Sequence, residues 1–322
     1  MDMSAPFPVA SALDAIGNTP VVQLRRLVPP GHADVFVKLE YFSPTGSYKD
    51  RMALAMIEGA ERRGALRPGM TVVEYTGGST GSSLAFVCAV KGYRFRVVSS
   101  DAFAPEKLKT MSAFGAQLDI VPSAGGRITA DLIPRMIARA QEIGGAEDCL
   151  MTDQFNNRDA LVGYAQIGEE LVRQFPQGIT AFCGGVGVGG MLMGVAGVLK
   201  ASAAGTRIVA LEPTSSPVLS EGRAGEHHVE GLGVGFVPPL LDPAFYDEVM
   251  SIPEDDARSM CRALATQEGL LVGTSSGLNV AAALKLAREL GAGKTVVTVA
   301  CDSGLKYLAG GLFGPLDGGS RG

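Results

Sequence analysis

The chain contains no tryptophan and only three histidines, His32, His227 and His228. Cysteine is sparse too: Cys88, Cys149, Cys183, Cys261 and Cys301 are odd in number and widely spaced, and none forms a Cys-x-x-Cys pair. The histidines do not make a metal-ligand set with these thiols, which argues against a zinc-type centre. Most of the cysteines lie in apolar runs and read as small buried hydrophobes in a reducing cytosol. Charge is modest, at 19% Asp, Glu, Lys and Arg with a net charge of −5, and no basic stripe is present. Nucleic acid is therefore excluded as the expected partner. No signal peptide is read at the start, because Met1–Val9 is short and interrupted by proline.

One uncharged stretch, Ile179–Leu199, is long enough to span a bilayer. Seven of its residues are glycine, so a buried strand, a glycine turn and a core helix explain it better than a membrane span.

Glycine is what the chain has in abundance, with 43 in 322 residues, well above the usual ~7%. That predicts many tight turns and close backbone approaches, as in strand-to-helix turns that hold phosphate. The length allows two domains, and 46% hydrophobic residues suffice for packed cores.

Periodicity and turn signals give an alternating series. After the turn Gly17-Asn18-Thr19-Pro20 and the apolar Val21–Leu24, strands are expected at 35–40, 71–75, 95–99 and 117–121. Helices are expected from Lys49 to Gly64, from the Thr76–Gly81 turn to Gly92, and at 105–114 and 127–143. The polar stretch 148–158 reads as a crossing. A second series follows: helix 159–175, strand 179–183, helix 190–201, strand 207–211, an irregular Gly/Pro-rich region 222–243, helix 253–267, a turn at 273–277, a helix to Leu290 and strand 295–300. The tail after Gly314 has little to pack. Short links between alternating strands and helices predict parallel βαβ units. The expected class is α/β with two domains: residues 1–155, whose first 35 or so residues could pack on the other domain, and residues 156–322.

Chemistry is expected first at Ser43-Pro44-Thr45-Gly46-Ser47-Tyr48-Lys49-Asp50-Arg51. A turn runs straight into a helix whose first turn holds Lys49. The positive end of the helix dipole disfavours an ammonium there, which lowers the lysine's pKa and leaves an amine able to attack a carbonyl. Read alone, among 28 lysines and arginines, Lys49 is better explained as an ordinary exposed lysine.

Three loops join it. Thr76-Gly77-Gly78-Ser79-Thr80-Gly81 offers backbone N–H groups and hydroxyls to an anion such as a carboxylate, or is a plain capped turn. Gly184-Gly185-Val186-Gly187-Val188-Gly189-Gly190 follows a strand and opens a helix, which suits a phosphate. Gly185, Gly187 and Gly190 also satisfy the Gly-x-Gly-x-x-Gly pattern, and Glu212 ends the next strand, as a nicotinamide dinucleotide would require. Both readings stand at this point. Gly273-Thr274-Ser275-Ser276-Gly277 carries hydroxyls before an apolar helix, where one serine serves as a helix cap.

Taken together these segments resemble the cysteine synthase and cystathionine β-synthase family of pyridoxal-phosphate enzymes. The likeness is carried by Ile16–Pro20, Pro44–Arg51, Thr76–Gly81, Gln154-Phe155, Gly187–Gly190, Glu212-Pro213, Ser216–Leu219, Gly233–Pro238 and Gly273–Gly277, in order over nearly the whole chain. It implies a tryptophan-synthase-β-like fold with the active site in the cleft between two domains, pyridoxal 5'-phosphate as cofactor, and a homodimer. Lys49 would hold the cofactor as a Schiff base and move protons. Thr76, Gly77, Gly78, Ser79 and Thr80 would bind the substrate carboxylate with help from Gln154. Gly187, Val188, Gly189, Gly190 and Met191 would cradle the phosphate, Ser275 would face the pyridine nitrogen, and Gly233 and Gly235 would line the mouth. Glu212 would then be structural. The implied reaction is β-replacement on an activated L-serine, such as O-acetylserine, by sulfide or another small nucleophile. A β-eliminating dehydratase, a cystathionine β-synthase-type enzyme, a nicotinamide-dependent oxidoreductase and a non-catalytic homologue are the alternatives.

Two departures stand out. The family's carboxylate loop reads Thr-Ser-Gly-Asn-Thr, with the asparagine against the cofactor's ring hydroxyl; here the serine position is Gly77 and the asparagine position Ser79. The phosphate loop ends in threonine in the family and in Met191 here. The second change removes a hydroxyl donor worth roughly 1–3 kcal/mol if nothing replaces it.

Overall fold

Strand order, more than strand number, determines where this chain can build a site. The computed structural model describes residues 8–126 and 131–314. Contacts divide it into two units: residues 42–154 with the described part of 1–18, and residues 19–41 with the described part of 155–322.

In the first unit four parallel strands form one sheet: β3 (Thr71–Tyr75), β4 (Arg94–Ser100), β5 (Gln117–Val121) and β6 (Cys149–Met151), in the order β5-β4-β3-β6. Helices α1 (Lys49–Arg62), α2 (Ser79–Lys91), α3 (Pro105–Ala113) and α4 (Leu132–Gly144) belong to this unit. The chain steps outward from β3 to β5, and α4 then carries it back to the other side of β3. The turns leaving β3 and β6 therefore emerge side by side. In open α/β sheets such a reversal is where ligands bind.

The second unit has a six-stranded sheet. Its strands are β1 (Val21–Gln23), β2 (Asp34–Leu39), β7 (Ala181–Gly185), β8 (Arg207–Pro213), β9 (Glu248–Ile252) and β10 (Thr295–Ala300), in the order β1-β2-β10-β7-β8-β9. Only β1 runs antiparallel to its neighbour. The helices are α5 (Asp159–Gln174), α6 (Gly190–Ser202), the single turn α7 (Val218–Glu221), α8 (Glu254–Ala263) and α9 (Thr274–Leu290). The reversal falls between β7 and β10. Strands covered on both faces read as continuous apolar runs: every residue of β7 is buried, and so is β10 beyond its first residue. Val35, Val37, Val209, Leu211, Val296 and Leu278 are among the residues of this core.

The strands expected at 71–75, 117–121 and 295–300 have those bounds, and the other expected strands shift by a residue or two. Ile179–Leu199 is β7, a turn and α6, and no helix among the described residues is long and apolar enough to cross a membrane. Two strands were hidden in the sequence. β6 is three residues long inside the polar crossing 148–158, and only its pairing with β3 defines it. β9 is half-buried at the sheet edge, so its side chains lack a strand-like apolar pattern. The start of the helix expected over 127–143 (residues 127–130) and the tail after Gly314 lie outside the described residues.

A buried charge pair ties the second unit's edge together. Lys38 on β2 is fully buried, and its ammonium donates to Glu170 on α5 at 2.5 Å, to the Thr19 carbonyl at 2.7 Å and to Gln174 at 3.1 Å. Glu170 also accepts from the Thr19 backbone N–H, and the Thr19 hydroxyl donates to buried Glu40. Removing one member of such a pair leaves a buried charge without its counter-ion. Glu170→Ala should therefore lower the unfolding free energy in urea by about 3–5 kcal/mol, and Lys38→Met with Glu170→Leu should cost clearly less.

Candidate active site

In the first unit Lys49 is the first residue of α1 and is half-buried, with its Nζ 5.0 Å from the centroid of the Tyr48 ring. The loop before it is held from inside the helix. Asp50, fully buried, accepts from the Thr45 backbone N–H at 2.8 Å and from the Thr45 hydroxyl at 2.6 Å. Gly46 takes φ +71° in a turn closed by its N–H on the Ser43 carbonyl, and Ser47 Oγ accepts the Lys49 N–H. Asp50 thus sets the turn that presents Lys49. The sequence signal for it was an acid in the first turn of a helix.

The same unit carries the Thr76–Thr80 loop between β3 and α2. Thr45 Oγ1 lies 3.3 Å from Ser83 Oγ on α2, which links this loop's helix to the Lys49 turn. Thr76 Oγ1 accepts the Gly78 N–H at 3.2 Å. The Thr80 hydroxyl donates to Gln154 Oε1 at 2.8 Å, while Gln154 Nε2 donates to the Tyr75 carbonyl at 3.3 Å. The residue expected to help bind substrate thus braces the loop across the strand-order reversal. Gly77, Gly78 and Ser79 remain half-buried. At Gly77 a Cβ would overlap the ring of Phe103.

Beneath this loop lies a carboxyl that pattern reading did not single out. Glu74, at the end of β3, is fully buried. It accepts from the Tyr75 N–H at 2.9 Å, the Thr152 hydroxyl at 2.8 Å and the Gln154 N–H at 3.1 Å. Burial pushes its pKa from the ordinary 4.5 up to about 7, against the pull of those three hydrogen bonds. Thr152 also reaches the Val73 carbonyl. Its hydroxyl can therefore donate to an ionised Glu74, or accept from a protonated one while donating to that carbonyl.

In the second unit the glycine loop after β7 adjoins two other expected segments. A Cβ at Gly187 would strike the Gly231 carbonyl oxygen, and Gly233 N–H donates to the Val186 carbonyl. Gly189, the N-cap of α6, has φ +81°, a left-handed conformation that favours glycine. Gly190 and Gly194 let α6 lie close on Tyr164 of α5. The first turn of α6 therefore offers bare backbone N–H groups at a helix N-terminus, as an anion requires.

Met191 is 4% exposed and folds back under the strand, with its Cε 2.7 Å from where a Cβ at Gly184 would stand. The position fills the core and presents no hydroxyl. A small recess is lined by Gly187 and Gly233 together with Glu212, Ser216 and Phe236. Gly233 and Gly235 take φ +58° and +86°. His227 fixes this turn: its Nδ1 accepts the Val229 N–H, so Nε2 carries the proton and donates to the Gly233 carbonyl at 2.9 Å.

Ser275 enters the same group of segments. It lies in the first turn of α9, where Thr274 Oγ1 accepts the Glu230 N–H and Ser276 Oγ accepts the Cys301 N–H. Ser275 is 5% exposed, and its hydroxyl has no hydrogen-bond partner among the described residues. The hydroxyl is not sealed in the core, so a polar ligand atom could reach it. Asn279, one turn further on and missed in the sequence, holds the assembly by accepting the Gly185 N–H and donating to the Val299 carbonyl.

Glu212 is spoken for. Its carboxylate accepts from the Leu219 and Ser220 N–H groups and from the Ser220 and Ser251 hydroxyls. It closes the turn α7 and is structural, leaving the nicotinamide reading without its ribose acceptor. The five cysteines are free. Four of them are buried, as expected for most, and Cys149 is half-buried; burial pushes the thiols of Cys88, Cys183 and Cys261 up to about 12, too high for a nucleophile. No cluster of metal-ligating residues occurs among the described residues.

A family model described as "Pyridoxal-phosphate dependent enzyme" matches residues 12–302. A cysteine synthase of Staphylococcus aureus is 44% identical over 308 residues, covering 95% of this chain and 97% of that protein. Among solved structures, an O-ureido-L-serine synthase superposes with a TM-score of 0.90 at 36% identity, covering 98% of each chain. A cysteine synthase from Entamoeba histolytica superposes with a TM-score of 0.91 at 32% identity, covering 99% of this chain and 96% of that one.

Glu74 gives this site a pH dependence of stability. Its folded pKa lies above the unfolded value, so the native state binds more protons between the two. Its contribution should be most favourable below about pH 4.5, fall as pH rises to about 7 and level off above. The fall should be about 3 kcal/mol, the worth of such a pKa difference. Glu74→Gln, whatever its fixed offset, should flatten that part of the profile in urea titrations at a series of pH values.

Proposed function

Since the chain belongs to the pyridoxal-phosphate-dependent enzyme family, we propose that it catalyses β-replacement on an activated L-serine, with sulfide as nucleophile and L-cysteine as product. The observation that carries the choice of reaction is the neutral hydroxyl of Ser275, in the first turn of α9 and without a hydrogen bond among the described residues. The likeness to cysteine synthase supports the identity of the product.

The residues fit the cofactor. Gly187, Val188, Gly189, Gly190 and Met191 would hold its phosphate through backbone N–H groups, Met191 adding no hydroxyl. Lys49 would hold it covalently through Nζ, Ser275 would meet the pyridine nitrogen, and Ser79 would take the place of the family's asparagine. The cofactor supplies an electron sink for charge developing at the substrate's α-carbon.

The chain's own groups do the rest. The Thr76–Thr80 loop, braced by Gln154, fixes the substrate carboxylate and with it the direction of the α-proton. Lys49 Nζ, as a neutral amine, would take the substrate's α-proton and later return a proton to that carbon. Ser275, being neutral, would supply no charge to keep the cofactor's pyridine nitrogen protonated. Charge is then held less firmly at the α-carbon, which favours prompt loss of the β-substituent over transamination. In the net reaction the Cβ–O bond to the leaving group breaks, the Cβ–S bond forms, and the donor's acyl group departs as its carboxylate. Gly233 and Gly235 line the mouth. Two copies of the chain form the working unit, and five free, mostly buried thiols fit a reducing compartment such as the cytoplasm.

Purified enzyme given O-acetyl-L-serine and sulfide should release L-cysteine and acetate in equal amounts. Pyruvate and ammonia as main products would instead assign a dehydratase. Lys49→Ala should lower turnover by about 10³-fold or more, since it removes both tether and base. Full turnover in that variant would refute the role given to Lys49.

A further inference from the structure

One buried acid has no task in the proposed chemistry. Glu74, the penultimate residue of β3 and fully buried, lies two residues before the Thr76–Thr80 loop. Its carboxyl holds both sides of the strand-order reversal. Oε1 accepts the N–H of Tyr75, which leads into the loop. Oε2 accepts the Thr152 hydroxyl and the N–H of Gln154, the residue that braces Thr80. No cation pairs with Glu74 among the described residues, and the titratable groups facing it are Tyr75 and Asp153, an acid like itself. The charges on the elements packed against β3 are engaged elsewhere. On β4, Arg94 pairs with Asp148 and Arg96 with Asp119; on α4, Arg135 pairs with Asp131 and Arg139 with Asp119 and Glu142; on α2, Lys91 pairs with Glu61. On β6 the Cys149 thiol bonds to Asp148.

We infer that Glu74 is a positioning residue that balances charge: it takes up a proton from solvent when the Thr76–Thr80 loop receives the carboxylate of an α-amino acid, and its ionised form weakens that binding. The inference rests on the proposal that this loop binds the substrate carboxylate, and adds the group that sets the loop's charge. Two like charges held close inside a protein disfavour each other, so an anion in the loop favours the neutral form of the acid beneath it. Burial already places the pKa of Glu74 at about 7, so a modest push near neutral pH changes its protonation. The one bond formed is O–H at Glu74, with the proton drawn from the buffer. The Thr152 hydroxyl lies 2.8 Å from Glu74 Oε2 and 3.1 Å from the Val73 carbonyl. It donates to the ionised acid, or accepts from the neutral one while donating to the carbonyl. The N–H groups of Tyr75 and Gln154 keep their acceptor in both states. Protonation therefore changes the charge under the loop and leaves its shape. Below about pH 7 Glu74 is neutral and the loop binds at full strength. As pH rises through that value the acid ionises in the free enzyme and affinity falls, levelling off where the complex has ionised too.

The test uses the holoenzyme and L-serine, which carries the carboxylate without a good leaving group, with binding read from cofactor absorbance across a series of pH values. Wild type, Glu74→Gln and Thr152→Val are compared, and kcat/KM for O-acetyl-L-serine with sulfide is measured in parallel. Dividing the wild-type dissociation constant by that of Glu74→Gln cancels the titration of the ligand's own amine. The quotient should be level below neutral pH and rise about tenfold as pH passes through 7 to 8. The corresponding quotient of kcat/KM should fall by a similar factor. Calorimetry in two buffers of different ionisation enthalpy should show wild type taking up more protons than Glu74→Gln on binding L-serine, by up to about one per site. Thr152→Val removes the hydroxyl that favours the ionised acid, so its affinity should fall at higher pH than that of wild type. That comparison stands even where Glu74→Gln fails to fold.

Level quotients across the pH series, equal proton uptake in wild type and Glu74→Gln, or a pH dependence that Thr152→Val leaves in place would overturn the inference while β-replacement stands. A wild type whose cofactor absorbance responds to neither L-serine nor O-acetyl-L-serine would overturn the functional reading itself, and this inference with it.

Discussion

A parallel sheet imposes a simple constraint. Each strand ends at the same edge as its neighbours, and the chain must return across a face before the next strand can start. Where the order reverses, two adjacent strands send their chains to opposite faces, and a gap opens between the turns. In the first unit that gap lies between the turns after β3 and β6, and Thr80 and Gln154 close it with a hydrogen bond. In the second it lies between β7 and β10, where Asn279 joins the two strands by bonding to Gly185 and Val299. The loops proposed to hold substrate and cofactor sit where they do because of this reversal. Their glycines follow from it, since the backbones approach too closely for a side chain at Gly187.

Around those turns the protein uses buried polar groups as fixtures. Asp50 holds the turn before Lys49, Glu74 lies under the Thr76–Thr80 loop, Glu212 closes the turn after β8, and Lys38 with Glu170 ties Thr19 to the sheet. Each has its partners, as burial requires. None is expected to touch substrate. Their common effect is to leave the reactive turns little freedom, so that positioning is established before substrate arrives.

The sequence made the α/β class legible because its strands are apolar and its helices periodic, and because glycine and hydroxyl runs fall between them. Lys49, the Thr76–Thr80 loop, the Gly187–Gly190 loop and Ser275 all stood out as short patterns. What stayed hidden depends on distant neighbours. β6 is a strand only because β3 lies beside it, and β9 only because β8 does. Glu74 looks like any acid in a strand until its full burial and its contacts with residues 152 and 154 are known. Gly77 read as a lost hydroxyl, and only the position of Phe103 shows that the space is occupied. Met191 likewise read as a missing donor, whereas its side chain fills the gap at Gly184.

The register of the larger sheet bears on how the chain comes off the ribosome. β1 and β2 are made early, yet the parallel partner of β2 is β10, residues 34–39 pairing with 295–300. The strands of the smaller sheet all fall within 71–151 and can pair as soon as they emerge. For most of translation, then, the amino-terminal hairpin waits with one edge open, a state in which unpaired strands invite association with other chains. Its lysine at position 38 and the charged residues flanking it at Asp34 and Glu40 are the kind of side chains that discourage such pairing until the last strand arrives.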